Sequence, residues 1–169
     1  ATTLCMVDSS VHVSGFLRKN LHLSCQLCRG EKDREARLRS LLDGYKPEDG
    51  GLILYASTRR RVERFAELCK TIVGDDVVTY HAGLSDAERE SAQTRFMSKE
   101  ARIAVATNAF GMGIDRSDIR GVIHLDLPRT IEAYYQEVGR AGRDGKPARC
   151  MLLFNPIDRR THEFLIDLS

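Results

Sequence analysis

The sequence predicts an α/β domain: a mostly parallel sheet of about six strands with helices covering both faces. Three observations predict it. Runs such as Leu52–Ala56 and Ile103–Ala106 are short and continuously apolar, as strands buried on both sides must be. Stretches with apolar residues at i, i+3 and i+4 separate these runs. The 169 residues are enough for one domain with a sizeable core, and neither an internal repeat nor a long linker divides them.

Two stretches near the start, Val11–Val13 and Leu21–Leu27, read as extended. In the second, Leu21, Leu23, Cys25 and Leu27 point one way, and His22, Ser24, Gln26 and Cys28 the other. Leu38, Leu41 and Leu42 then share one helical face, with Gly44 as its stop and YKPEDGG as the following loop. Leu52–Ala56 is a strand, and Val62, Phe65, Ala66, Cys69 and Ile72 mark the helix after it. Val77–Tyr80 is the next strand. Ser85 with Glu88 forms a capping box that opens a helix running to Met97. The strand Ile103–Ala106 leads into a glycine-bearing loop, NAFGMGID, in place of a helix. A strand at Val122–Leu125, a helix from Thr130 to Ala141 and a strand at Cys150–Phe154 follow, and Ile157–Leu168 is a last amphipathic piece.

Hydrophobic residues at 42% and charged residues at 30% exclude a disordered or low-complexity chain. Lys plus Arg number 26 against 24 acids, so any case for a nucleic-acid partner must rest on local clusters. The odd set Cys5, Cys25, Cys28, Cys69 and Cys150 has no disulfide-framework spacing. With no basic-then-apolar start and no run of ~20 apolar residues, the expectation is a reduced intracellular compartment and no membrane partner. Cys25 and Cys28 with His22 invite a zinc reading, but the two thiols should face opposite ways and a second ligand pair is missing. No zinc is expected in this segment.

Ligands of parallel sheets bind at the carboxyl ends of strands, which directs attention to the loops after residues 56, 80, 106 and 125. The strongest local signal is the run from Gln136 to Gly145, QEVGRAGRDG. On a continuous helix Gln136, Arg140 and Arg143 would share one stripe, with Ile131, Tyr134, Tyr135 and Val138 buried opposite. Gly142 would lie on the buried side, where a missing side chain permits close packing. Two guanidinium groups on one rigid element make an anion clamp, although the same stripe would also suit a solvated basic helix end. The second signal runs from Val105 to Asp115. Thr107 ends a strand, Gly111 and Gly113 allow close approach of a ligand, and Asp115 could accept from a sugar hydroxyl. An ordinary tight turn would read the same way. No GxxxxGK[ST] loop, strand-ending Asp-Glu pair or GxSxG elbow is present. The chain thus offers phosphate-contacting arginines without the parts that bind and activate a nucleotide. His124 reads as packing, and Tyr134 and Tyr135 read as core.

Taken together, these motifs resemble the second RecA-like motor domain of RecQ-family DNA helicases. FGMGID and YYQEVGRAGRDG resemble that family's motifs V and VI, LILYASTRRRVE its motif IV, and TYHAGL the short motif after it. GFLRKNLHL is similar to the segment leading into the domain, with Lys19 where the family usually has proline. Ala56, Ser57 and Thr58 replace the commoner Cys-Asn-Ser. The ARGLD and HRxGRxGR runs typical of DEAD-box RNA helicases are not found.

The resemblance covers residues 11–156 and implies one helicase C-terminal RecA-like domain over 1–169, with 157–169 as a tail helix leading to downstream domains. It implies ATP and Mg2+ as cofactors, shared with a first RecA-like domain that supplies the phosphate loop and magnesium carboxylates. Arg143 is then the arginine finger, Arg140 stands alongside it, and Gln136 orders the cluster. Gly113 and Asp115 lie by the nucleotide, with Asp115 on the ribose or the adjacent domain. Ser57, Thr58, Arg59, His81, Gly83, Thr107 and Asn108 face the phosphate backbone of single-stranded DNA. For the run Arg59, Arg60, Arg61 and Arg64, a solvated face and a DNA-facing patch are both open. The implied function is 3′-to-5′ DNA unwinding in repair and recombination, with single-stranded DNA and duplex junctions as partners. The isolated domain is expected to lack ATPase activity, and to work in the nucleus of a eukaryote or the cytoplasm of a bacterium. The alternatives are a non-catalytic nucleic-acid-binding module with a RecA-like fold, and half of an RNA helicase.

Overall fold

The computed structural model describes residues 18–46, 49–111 and 113–158. The extended reading at Val11–Val13 and most of the piece beginning at Ile157 lie outside them. In chain order the elements are β1 (Leu21–Leu27), α1 (Glu31–Asp43), β2 (Gly51–Tyr55), α2 (Arg59–Val73) and β3 (Val77–Tyr80). They continue with α3 (Asp86–Met97), β4 (Ile103–Ala106), β5 (Ile119–His124), α4 (Ile131–Val138) and β6 (Ala148–Phe154). The strands form one sheet in the order β1-β6-β5-β2-β4-β3, and every pairing is parallel.

β2 and β4 are buried along their whole length, which is why neither reads as alternating in sequence. Leu52, Leu54, Ile103 and Val105 join Leu38, Leu42, Val62 and Phe65 in one core, beneath α1 and α2. Ile53, Tyr55, Ala104 and Ala106 project the other way, into a second core with Phe96, Phe110 and Val138. The sheet is therefore covered on both faces, as the sequence predicts. β1 is an edge strand: Leu23 and Leu27 are half-exposed, Cys25 is exposed, and Cys28, just past the strand, is buried. Burial pushes the Cys150 thiol up to about 11 and the Cys69 thiol up to about 12. Among the described residues no helix is long and apolar enough to cross a membrane.

One predicted element is shorter than expected. α4 ends at Val138, not Ala141, so Arg140 and Arg143 do not extend a helical stripe from Gln136. The last turn tightens, with Arg140 N–H donating to Glu137 O and Ala141 N–H to Val138 O. Gly142 then turns the chain out at φ +56°, and its N–H donates to the Ile119 carbonyl of β5 at 2.8 Å. A Cβ at Gly142 would lie 2.8 Å from the Lys146 carbonyl, so glycine is required there. Asn20 Nδ2 donates to the Gly142 carbonyl at 2.8 Å, and Arg18 donates to the Gly139 and Gly142 carbonyls, which secures the turn from outside the helix. Tyr135 and Ile131 are exposed, against the expectation of core, because α4 meets the core only along the side that carries Val138 and, one turn earlier, the partly buried Tyr134.

α3 begins as predicted. The Ser85 hydroxyl accepts from Glu88 N–H, and Glu88 Oε2 accepts from Ser85 N–H at 2.8 Å and from its hydroxyl at 2.7 Å. These bonds hold the Glu88 carboxyl below its ordinary range. A depressed carboxyl contributes stability that is fully present above the unfolded value near 4.5 and is lost as pH falls through the lowered one. Ser85→Ala is expected to raise the Glu88 titration towards the ordinary range and to remove that acid-sensitive contribution. Side-chain carboxyl NMR titration of both proteins measures it.

Candidate functional site

Parallel pairing places Ser57, His81, Thr107 and Asp126 just past the carboxyl ends of β2, β3, β4 and β5, along one edge of the sheet. Asp126 organises the turn after β2: it accepts from Ser57 N–H at 2.8 Å and from Arg61 Nε at 2.9 Å. Thr58 caps α2 by accepting from Arg61 N–H. Arg61 also pairs with Glu31 at 3.1 Å, and Arg64 pairs with Glu31 and Glu35. Beneath them Arg34, fully buried, bonds Glu31 at 2.9 Å and Asp158. Burial pushes the Asp158 carboxyl up, and the Arg34 charge opposes it.

The basic run is therefore split. Arg61 and Arg64 are committed to carboxylates, whereas Arg59 and Arg60 are exposed and make no ion pair among the described residues. Arg59 lies against Gly83, where a Cβ would come within 3.0 Å of its Cδ and Nη1. His81 is buried, and its Nδ1 accepts from Gly83 N–H at 3.1 Å. Its ring proton is then on Nε2, 3.4 Å from Glu63. The structure thus brings Arg59, His81 and Gly83 together. It also spends the backbone N–H groups of Ser57, Gly83 and Thr107 on internal acceptors, the last on the Tyr80 carbonyl. Ser57, Thr58, Arg59 and Asn108 are exposed at this edge, and Thr107 is half-buried.

The second cluster is not at the carboxyl edge. Among the described residues, 107–111 and 113–118 return from the end of β4 to the start of β5 without a helix, and the turn after α4 packs against that return. Arg140 Nη1 donates to the Gly111 carbonyl at 2.5 Å, and Arg143 Nη1 pairs with Asp115 at 2.7 Å. A Cβ at Gly111 would lie 2.8 Å from Arg140 Cζ, so this glycine makes room for a guanidinium of its own chain. Gly113, at φ +82°, needs glycine for its backbone conformation. Gln136 is exposed, and its side chain makes no hydrogen bond among the described residues. Its neighbour Glu137 is the buried one, with Oε2 2.7 Å from His124 Nε2. Tyr55 stacks on His124 at 5.4 Å between ring centroids and donates from its hydroxyl to the Phe110 carbonyl at 3.0 Å. Burial raises the Tyr55 hydroxyl's pKa far above its ordinary value, so it stays a donor.

Sequence reasoning missed Asp126, Glu137 and Tyr55. A carboxylate two residues past a strand end and one beside Gln136 were the available signals. Chemically, the edge offers exposed cations and hydroxyls suited to contacts with a phosphate backbone. The flank offers the Arg143 guanidinium, 37% exposed and held by one open carboxylate, which can exchange that partner for a phosphate oxygen. Among the described residues no group of three His, Cys, Asp or Glu is placed to hold a metal ion.

The family model for the helicase conserved C-terminal domain matches residues 33–145. The chain is 41% identical over 158 residues to the ATP-dependent DNA helicase RecQ of Bacillus subtilis, covering 92% of this chain and 25% of that protein. It is also 41% identical to human ATP-dependent DNA helicase Q4, covering 88% of this chain and 13% of that one. The chain therefore spans a quarter or less of the length of these curated relatives. Among solved structures, S. cerevisiae Dbp5 bound to RNA and ADP BeF3 superposes with a TM-score of 0.71 at 21% identity, over 89% of this chain and 39% of that chain, a likeness of fold.

Gly111→Ala is expected to push the Arg140 guanidinium aside and break its bond to the buried Gly111 carbonyl, at a cost of about 1–3 kcal/mol. Urea denaturation measures this. Arg140→Ala removes the obstacle, so the alanine should be tolerated in that background. An equal cost in both backgrounds would show that Arg140 is not what requires glycine at this position.

Proposed function

The chain belongs to the helicase conserved C-terminal domain family, of the RecQ type, and we propose that it is the second motor domain of an ATP-dependent 3′-to-5′ DNA helicase. Its fold is the six-stranded parallel sheet of RecA-like helicase domains. In this reading Arg143 is the arginine finger and works on ATP held mainly by a first motor domain. The observation that carries it is the Arg143–Asp115 contact. It leaves a half-exposed guanidinium on the flank of the sheet, paired among the described residues with one carboxylate that is 82% exposed.

A phosphoryl group in transfer carries charge on its equatorial oxygens, and a planar guanidinium stabilises that charge as it develops. Arg140 has a different role, because its bond to the Gly111 carbonyl fixes the shape of the loop that bears Asp115. Magnesium, which neutralises phosphate charge in such reactions, would take its ligands from the first domain, since the donors here are arginines and one carboxylate. The isolated chain is then without ATPase activity of its own. Arg59, Ser57, Thr58, Thr107 and Asn108 form the single-stranded DNA track. They would contact phosphates and leave bases unread, as a translocating motor requires.

In the protein containing both motor domains, Arg143→Ala should lower kcat for ATP about 10³-fold or more, with a far smaller change in ATP affinity. Arg143→Lys should rescue poorly, because an ammonium lacks the planar fork. Turnover near the wild-type rate in the alanine variant would leave the fold and remove the catalytic role.

The split basic run gives a separate test on DNA. Arg59→Ala should weaken single-stranded DNA binding and lower the steepness of log K against log salt by about 0.7, the single-strand signature of one lost phosphate contact. Arg64→Ala, whose charge is already paired, should change neither. Fluorescence anisotropy with DNA and RNA strands of the same sequence reads both variants. A preference for RNA would point to an RNA motor, and DNA binding with normal ATPase in Arg143→Ala to a non-catalytic module.

A further inference from the structure

We propose that the buried His124–Glu137 pair is a positioning device for the arginine-bearing turn after α4, an inference that rests on the catalytic reading of Arg143. His124 is 1% exposed and Glu137 8%, and their 2.7 Å contact joins the end of β5 to the last turn of α4. A carboxylate only accepts, so His124 Nε2 carries the proton and donates it. No hydrogen bond is made by His124 Nδ1 among the described residues, so this one bond and the flanking rings set the ring's orientation. Tyr55 stacks on it at 5.4 Å with planes 27° apart, and Tyr134 lies against it at 5.0 Å.

The cluster holds both partners of the Arg140 contact. On one side, the Glu137 carbonyl accepts Arg140 N–H, so anchoring Glu137 fixes the backbone from which Arg140 departs. On the other, the Tyr55 hydroxyl donates to the Phe110 carbonyl, next to the Gly111 carbonyl that receives the Arg140 guanidinium. Arg143 follows on the same turn and reaches Asp115 on the same loop. An apolar pair of equal volume would stabilise this interior at least as well as a buried polar pair. What the polar pair adds is direction: one allowed seat for the helix end, and through it one for the two arginines. Misplacing a catalytic group by about 1 Å can cost 10²-fold in rate, so a device of this kind has a kinetic consequence.

The test uses the protein containing both motor domains, with ATP turnover followed well below the melting temperature. Glu137→Ala and His124→Ala should each lower kcat about 10-fold or more while KM for ATP changes less than about 3-fold, and the double variant should be no worse than either single. Glu137→Gln keeps an acceptor for His124 Nε2–H and should stay within about 3-fold of wild type. Tyr55→Phe removes one oxygen and no bulk, so it keeps the proposal testable where an alanine variant fails to fold; it should lower kcat with the same unchanged KM. The deciding measurement places Glu137→Ala in an Arg143→Ala background. A residue that acts through the arginine turn has no further effect there. An equal fold-loss in both backgrounds, or wild-type kcat in Glu137→Ala and Tyr55→Phe, overturns the proposal. Arg143→Ala alone judges the catalytic reading: if its kcat is normal that reading fails, and if only the pair's variants are normal the positioning role alone fails.

Discussion

Every strand pairing in this sheet is parallel, and that constraint shapes the rest of the molecule. Parallel neighbours cannot be joined by a tight hairpin, so the chain must recross a face of the sheet between strands. Helices make most of these crossings, since a helix satisfies its own backbone while burying an apolar stripe. The return from β4 to β5 is the exception, and irregular backbone there needs outside partners. Arg116, on the return itself, supplies one anchor: it is buried, donates to the Phe96 and Ala101 carbonyls outside the return, and lies over the Phe96 ring at 4.7 Å. Arg140 supplies another at Gly111. The candidate site exists because one crossing has no helix and an arginine from the next crossing completes it.

The end of β5 links the two halves of that site. His124 turns to Glu137 and the arginine turn, while Asp126 holds the Ser57 N–H and Arg61 at the carboxyl edge. One short segment thereby fixes both the edge and the flank. The same pairing determines which cations remain available. A net charge of +2 says little about binding, and four nearby arginines say little more until their partners are known. Arg61 and Arg64 face Glu31, Glu35 and Asp126, so their charge is answered within the protein. Among the described residues Arg59 has no such answer, and it lies beside Gly83 and His81.

Much of the fold was legible in the sequence because its signals are local. The runs Val77–Tyr80 and Ile103–Ala106 are strands to the residue, and Ser85 with Glu88 marks the start of α3 because both capping bonds lie within one turn. The end of α4 was not legible. It depends on the Gly142 N–H finding the Ile119 carbonyl and on Arg18 and Asn20 reaching the turn, contacts from elements distant in the chain. Periodicity carried past Val138 for the same reason, and it misplaced Tyr135 and Ile131 in the core. Glu137 and Asp126 escaped notice because a carboxylate in isolation reads as surface, and only the folded chain brings His124 and Arg61 to meet them. The roles given to Arg140 and Arg143 came from their motif, while their partners came from tertiary contact.

Two arginines three residues apart would share one role if the helix continued, and the early stop gives them different ones. Arg140 turns inward to a backbone carbonyl, in a space that only glycine at 111 leaves open. Releasing it would strand a buried acceptor and a charge, so it is a fixed part of the loop. Arg143 meets a side chain that is 82% exposed, and an exposed ion pair contributes about 0–1 kcal/mol. Exchanging that partner for a phosphate therefore costs little and gains a forked, charge-assisted contact. The proposed motor role would need both properties within one turn: a rigid attachment to the loop that bears Asp115, and one cation free enough to change partners. The helix stops at Val138 with Gly139 as its cap, and Gly142, left-handed at φ +56°, turns the chain between the two arginines and so separates them.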